Sequence, residues 1–296
     1  MRTIYLFPGQ GSQKKGMGER EFAAFPALVE QAEAFLGYSV RQLCRDDPDA
    51  QLQQTQFTQP VLYIVSALAY LRHRQEHEEV EPIFAAGHSV GEYAALFAAG
   101  CFDFMTGLRL VTKRGEIMSR VRDGGMLAVT GLPTLHVQAI LKNFAFDAID
   151  IANYNTATQT VLAGETSDLR ESAPIFAEAG AKRALLLKVS GAFHSRYMDA
   201  AAEEFATYLD TVELRAPSLP VVANVNAQPY AKGRLKALLG QQLNHSVRWH
   251  ESMQFLLRQA GEFQELGGSR ILSQMIRQIQ RETPTAAGDS SRGAAA

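Results

Sequence analysis

Apolar and polar positions change rhythm several times along the chain, and each change predicts an element. Residues 3–7 (TIYLF) form a β-branched and aromatic run stopped by Pro8-Gly9, the pattern of a buried strand ending in a turn. Residues 59–74 (QPVLYIVSALAYLRHR) are apolar on nearly every side, which predicts an interior helix. Residues 83–86 (IFAA) read as the next strand and EYAALFAAG soon after as a helix. A further helix over 105–121 carries one apolar stripe.

From residue 126 the rhythm shortens. Strand patterns at 126–129, 149–152, 160–163 and 184–189 alternate with helix patterns at 134–144 and 167–179. The order βαββαβ predicts a ferredoxin-like unit, flanked by the turn formers Asp123-Gly124-Gly125 and Ser190-Gly191. Beyond it a helix over 195–209, a strand at 221–225, helices at 235–243 and 251–259 and a strand at 263–266 continue an alternation that fits a mostly parallel sheet. The expected fold is therefore α/β: an α/β-hydrolase-like large domain (1–124 and 191–283) with an inserted ferredoxin-like small domain (125–190). The segment 284–296 (PTAAGDSSRGAAA) lacks large apolar residues and periodicity, so a disordered tail or linker is expected there.

Composition narrows the function classes. With 46% apolar residues in 296, the chain can bury one large core and a smaller attached unit. A formal charge of -2 gives no whole-chain reason to bind nucleic acid or an anionic membrane. Cys44 and Cys101 are far apart in sequence, with no C-x-x-C spacing, so core thiols in a reduced compartment are expected. The opening run MRTIYLF is too short for a signal-peptide core, and no stretch approaches the roughly 20 apolar residues of a membrane helix. A cytoplasmic monomer is the expectation.

The chemistry concentrates at Gly87-His88-Ser89-Val90-Gly91, a G-x-S-x-G sequence between a strand and a helix pattern. That context predicts a nucleophile elbow: a tight turn lifts the Ser89 hydroxyl off the sheet edge, and the glycines let strand and helix crowd together. The helix beyond the turn points its N-terminal N–H groups toward an oxygen that becomes negative during acyl transfer. A serine needs a base, and seven histidines are available. His73 and His77 sit in a charged stretch and read as solvated, while His136, His245 and His250 read as structural. His194, in SGAFHS where a strand gives way to a helix, is the candidate base, the alternative being a packed or capping histidine. On the helix over 105–121, Lys113, Glu116 and Arg120 share a solvated face, but Arg114 projects from the apolar stripe. An arginine there is paired inside the fold, snorkels outward along its stem, or grips a carboxylate.

Separated motifs occur in a fixed order: FPGQGSQ at 7–13, TQP at 58–60, GHSVGEYAAL at 87–96, KRGEIM at 113–118, NYN at 153–155 and GAFHS at 191–195. In these the chain resembles malonyl-CoA:acyl-carrier-protein transacylases, especially the free-standing acyltransferases that serve polyketide synthases in trans, over nearly its whole length. The resemblance implies Ser89 as nucleophile, His194 as base and Arg114 as clamp on the malonyl carboxylate, with main-chain N–H groups of Gln10 and Val90 as oxyanion hole. It implies that the main-chain carbonyl of Gln242 orients His194, and that His88 and Asn155, with Asn153 less centrally, face the substrate. Turn or strand-edge amides are the alternative for the two asparagines. Phe193 matches the residue that accompanies malonyl selectivity, since a phenyl ring disfavours a branched extender. One departure is the segment Gly267-Gly268-Ser269-Arg270, which lacks the proline of the family's pattern.

The activity implied by the resemblance is a ping-pong transfer of malonyl from malonyl-CoA to the phosphopantetheine thiol of an acyl carrier protein or carrier domain. No metal and no resident cofactor are expected, since CoA is part of the substrate and phosphopantetheine belongs to the partner. Two rival readings remain open: a thioester hydrolase that clears carrier proteins on the same fold, and a silent module that only docks them.

Overall fold

The computed structural model describes residues 2–122 and 124–282; the expected tail lies outside the described residues. Strand β1 (Arg2–Phe7) is followed by α1 (Glu19–Ala24), α2 (Pro26–Leu36), α3 (Val40–Asp46) and the long α4 (Thr55–Glu76). Then come β2 (Glu81–Gly87), α5 (Gly91–Ala98) and α6 (Phe104–Arg120). A second unit holds β3 (Gly125–Thr130), α7 (Thr134–Asn143), β4 (Asp150–Thr156), β5 (Gln159–Gly164), α8 (Thr166–Glu178) and β6 (Arg183–Leu186). The chain returns through α9 (Asp199–Asp210), β7 (Val221–Val222), α10 (Leu235–Gln241), α11 (Trp249–Leu257), β8 (Glu262–Glu265) and α12 (Ile271–Glu282).

Two sheets organise these elements. The first is parallel in the order β7-β2-β1-β8, with Phe7 of β1 level with Gly87 of β2. Ile4 to Phe7 are wholly buried, as expected of a strand covered on both faces. The carboxyl ends of β1 and β2 thus finish side by side, the edge where α/β sheets place their chemistry. The second sheet is antiparallel in the order β4-β5-β3-β6, the ferredoxin-like arrangement. Its period of two splits β3: Leu127 and Val129 join the small core with Leu162 and Phe176, while Met126 and Ala128 line a cleft against the first unit. The chain is an α/β-hydrolase-like large domain carrying a ferredoxin-like small one.

Helices α4 and α6 approach closely because α6 carries glycine at the contact. A Cβ on Gly107 would lie 2.0 Å from the Tyr63 hydroxyl, and one on Gly115 3.2 Å from the Thr55 carbonyl oxygen. That approach brings the neighbour of Gly115, Arg114, up to Gln59 of α4.

Four expectations need correction. The strand expected over 221–225 stops at Val222, because Asn224 turns its backbone and side chain toward neighbouring segments. The strand expected over 184–189 ends at Leu186, just before a tight turn from Leu187 O to Val189 N. In contrast, β4 runs on through Thr156, where buried polar residues and two register shifts hid its alternation. His73 is only half solvated: its ring packs edge-on against Tyr5 at 5.4 Å, and its Nε2 is buried. Cys44 and Cys101 are buried and unpaired, burial pushing each thiol up to about 12.

Candidate active site

The turn between β2 and α5 holds Ser89 at φ 51, in the left-handed region that a serine rarely enters. The strain is held in place from both sides. A Cβ on Gly87 would strike the backbone of Gly91 at 2.0 Å, and one on Gly91 would lie 2.2 Å from the Phe7 carbonyl oxygen. The Ser89 N–H donates to Asn224 Oδ1 at 2.7 Å, and Asn224 Nδ2 donates to the Gly87 carbonyl at 2.7 Å. Asn224 therefore braces the elbow across its mouth.

His194 also stands at positive φ, 59, in the link between β6 and α9. Its N–H donates to the Leu243 carbonyl at 3.0 Å, and its ring Nδ1 lies 2.7 Å from the Gln242 carbonyl oxygen. A carbonyl only accepts, so Nδ1 carries the proton and Nε2 is the free base. Nε2 lies 2.8 Å from Ser89 Oγ, within reach of the hydroxyl proton. Burial first, and the Arg114 charge second, depress the His194 pKa to about 3.

That shift has a measurable consequence. A base with a depressed pKa stays neutral and competent in mild acid, so kcat/KM is expected to hold level from pH 8 down to about 5, where an unshifted histidine would be protonated. An acid limb near pH 6.5 in a pH–rate profile contradicts this. The same shift subtracts stability in acid: below the ordinary value of 6.5 the unfolded chain binds a proton that the folded one refuses until about 3.

Arg114 is 1% exposed. Its Nη1 donates to Gln59 Oε1 at 2.6 Å, and its Nη2 to Gln242 Oε1 at 3.0 Å and to Ser89 Oγ at 3.2 Å. The Tyr93 ring lies under the guanidinium at 5.8 Å. Its contacts are thus neutral: Arg114 makes no salt bridge among the described residues, and its Nε is buried with no hydrogen-bond partner. It does not snorkel. A buried, positive, planar fork next to a nucleophile, held by amides and with no anion bonded to it, has the geometry to donate to a carboxylate.

A cavity of about 240 Å³ opens over these groups between the two domains. Gln10 and Val90 line it, and the main-chain N–H of neither donates a hydrogen bond among the described residues. Met118, Met126, Val161, Phe193 and Met275 make its apolar wall. Asn153 and Asn155 of β4 reach the same cavity, but the Asn155 side chain is engaged: its Oδ1 accepts from His88 Nε2 at 2.9 Å. The His88 ring lies edge-on to Trp249 at 5.3 Å, and burial lowers its pKa against the opposing hydrogen bond to Asn155. This pair ties the elbow to the small domain. Among the described residues no three His, Cys, Asp or Glu side chains gather as a metal would require.

Four residues of the site were not anticipated. Gln59 lies in the TQP motif, to which the sequence attached no role; the available signal was an amide in a helix apolar on nearly every side. Glu92 lies in the GHSVGEYAAL motif, likewise with no role attached, as the one charge in an apolar helix pattern; Asn224 and Tyr230 left no local signal. Glu92, 1% exposed in the first turn of α5, accepts from Tyr230 Oη and Gln242 Nε2. Gln242 itself is used twice, its carbonyl by His194 and its amide by Arg114, Glu92 and the Ser89 carbonyl.

Comparison with known proteins identifies the family. Residues 4–263 match the acyl transferase domain family. The polyketide biosynthesis malonyl CoA-acyl carrier protein transacylase BaeC of Bacillus velezensis is 47% identical over 283 residues, covering 94% of this chain and 97% of that protein. The crystal structure of a malonyl CoA-acyl carrier protein transacylase from Burkholderia pseudomallei superposes with a TM-score of 0.93 at 44% identity, over 96% of this chain and 99% of the other. A malonyl-transacylase in complex with its type II polyketide synthase acyl-carrier protein gives a TM-score of 0.88 at 35% identity, over 95% of this chain and 94% of that one.

Proposed function

Since this chain belongs to the acyl transferase domain family, we propose that it is a malonyl-CoA:acyl-carrier-protein transacylase that works through a malonyl ester on Ser89 and supplies a polyketide synthase in trans. The observation that carries the reading is the position of Ser89 Oγ, 2.8 Å from the His194 base and 3.2 Å from a buried guanidinium to which no anion is bonded.

In the first half-reaction the malonyl carboxylate pairs with the Arg114 guanidinium at the cavity wall, placing the thioester carbonyl over Ser89. His194 Nε2 takes the hydroxyl proton as Oγ attacks, and the carbonyl oxygen, now negative, faces the N–H groups of Gln10 and Val90. Collapse breaks the carbon–sulfur bond, and the proton on His194 leaves with the CoA thiol. The second half runs in reverse: the carrier's phosphopantetheine thiol gives its proton to His194, attacks the ester, and Ser89 Oγ recovers the proton. The substrate carboxylate also neutralises the charge that depresses His194, so the base strengthens when the right acyl group is bound. No helix among the described residues is long and apolar enough to cross a membrane, and action in the cytoplasm fits substrates of this kind.

Intact-protein mass spectrometry tests the reading. Mixing with malonyl-CoA should add one malonyl group at Ser89, and a phosphopantetheinylated carrier protein should then remove it and gain it. Loss of the ester to water with little carrier product would replace the transferase by a hydrolase, and no adduct at all would leave only a docking role.

Phe193 sets the acyl group accepted. Its ring is 4% exposed and forms part of the cavity wall beside His194. Phe193→Leu should raise methylmalonyl transfer relative to malonyl about tenfold, the scale on which an apolar pocket discriminates one methyl group. Competition between the two CoA thioesters, with product ratios read by mass, measures it.

A further inference from the structure

Glu92 takes no part in the transfer chemistry, yet its surroundings are built around it. The carboxylate is buried at the start of α5, three residues beyond the nucleophile. Three donors from two segments converge on it: Tyr230 Oη and the Asn224 N–H from the turn after β7, and Gln242 Nε2 from the end of α10. Asn224 is the brace of the elbow, and Gln242 holds both the base and the clamp.

The decisive feature is the Gln242 amide. Its two ends are nearly the same shape, so only its partners decide which end faces which way. With Nε2 toward Glu92 and the Ser89 carbonyl, Oε1 faces Arg114 Nη2 and accepts from it. Turned over, Nε2 would meet the guanidinium donor to donor, and Oε1 would meet Glu92 and the Ser89 carbonyl acceptor to acceptor. Two of the three restraints involve ionisable groups, the Arg114 guanidinium at one end of the amide and the Glu92 carboxyl at the other, and Glu92 takes Nε2 in a direct hydrogen bond.

We propose that Glu92 is a positioning residue for malonyl transfer, fixing the orientation of the Gln242 side-chain amide and thereby setting Arg114 in register with Ser89. Glu92 touches neither substrate nor reacting atoms. Its burial without a salt bridge is costly, raising its pKa to about 7 by desolvation against the lowering effect of Tyr230, Gln242, Asn224 and the more distant Arg114 charge. Tyr230, Tyr93 and Arg114 are the ionisable groups that face it. An acid kept in such a place, one amide away from the clamp through Gln242, fits a role in the site.

The inference rests on the malonyl-transfer reading, and the test separates the two. Malonyl and acetyl transfer are measured for the wild type, Glu92→Gln, Arg114→Ala and the double variant, with thermal unfolding of each. Glu92→Gln keeps shape but removes the charge and replaces one of the two acceptor oxygens by a donor, weakening the hold on the Gln242 amide. It is expected to lower malonyl transfer roughly tenfold to a hundredfold, the cost of a small misplacement at a reacting centre, and acetyl transfer less. On the Arg114→Ala background it should change the malonyl-to-acetyl ratio no further, because the clamp through which it acts is gone. An unchanged ratio in Glu92→Gln, or an equal fall of the ratio on both backgrounds, overturns the inference while leaving transferase activity intact. A wild type that transfers no malonyl overturns the reading beneath it instead. Should Glu92→Gln fail to fold, Tyr230→Phe strips one donor from the same carboxylate and is expected to lower the ratio severalfold; an unchanged ratio there overturns the inference as well.

Discussion

Replacing Ser89 by alanine should abolish the malonyl-enzyme adduct and lower carrier-protein malonylation roughly 10⁴-fold or more, the scale seen when a nucleophile is removed from a serine site. The loss would read as chemistry rather than misfolding, for three reasons visible in the site. Alanine at φ 51 is strained as serine is, so the elbow gains no new strain. The brace from Asn224 uses the Ser89 main chain, which the substitution keeps. His194 stays oriented through its Nδ1 bond to Gln242, and Arg114 Nη2 keeps its bond to the same residue. Unfolding should therefore occur close to the wild-type temperature. Retention of a malonyl ester in Ser89→Ala would mean that another group is the nucleophile.

Arg114→Ala is expected to divide acyl groups by their charge. Malonyl transfer should fall about 10²- to 10³-fold, the value of a buried charge-assisted carboxylate grip, while acetyl transfer, which has no carboxylate to hold, falls little. Arg114→Lys should restore little, because a point charge cannot keep the bonds to Gln59 and Gln242 and also offer a flat edge to the substrate. The same residue leaves a second signature. The Arg114 charge helps to depress the His194 pKa, so its removal moves the acid limb of the acetyl-transfer profile to higher pH, toward but not up to the ordinary value, since burial remains. Rates with malonyl-CoA and acetyl-CoA across a pH series measure both effects. Equal loss of the two acyl groups would remove the clamp from the mechanism.

Legibility in the sequence tracked the range of the interaction. Turn chemistry and period are local, so the chain alone determined the elbow at 87–91, the βαββαβ order of the small domain, the buried character of α4 and the anomaly of Arg114 on an apolar stripe. It also marked His194, because a histidine where strand gives way to helix falls on the working edge of the sheet. Local rules failed where polar residues are buried for the sake of distant partners: β4 outran its apolar pattern, and β7 stopped short of it. Only the tertiary structure decided which amides serve the charged groups. Ser89 and Asn224 are 135 positions apart, Arg114 and Gln242 128, and Glu92 and Gln242 150. A buried glutamine or glutamate has no periodic signature of its own. Its role is set by which donor and acceptor the fold brings within reach, and that is a property of the packed chain, where an unpaired polar group is too costly to keep.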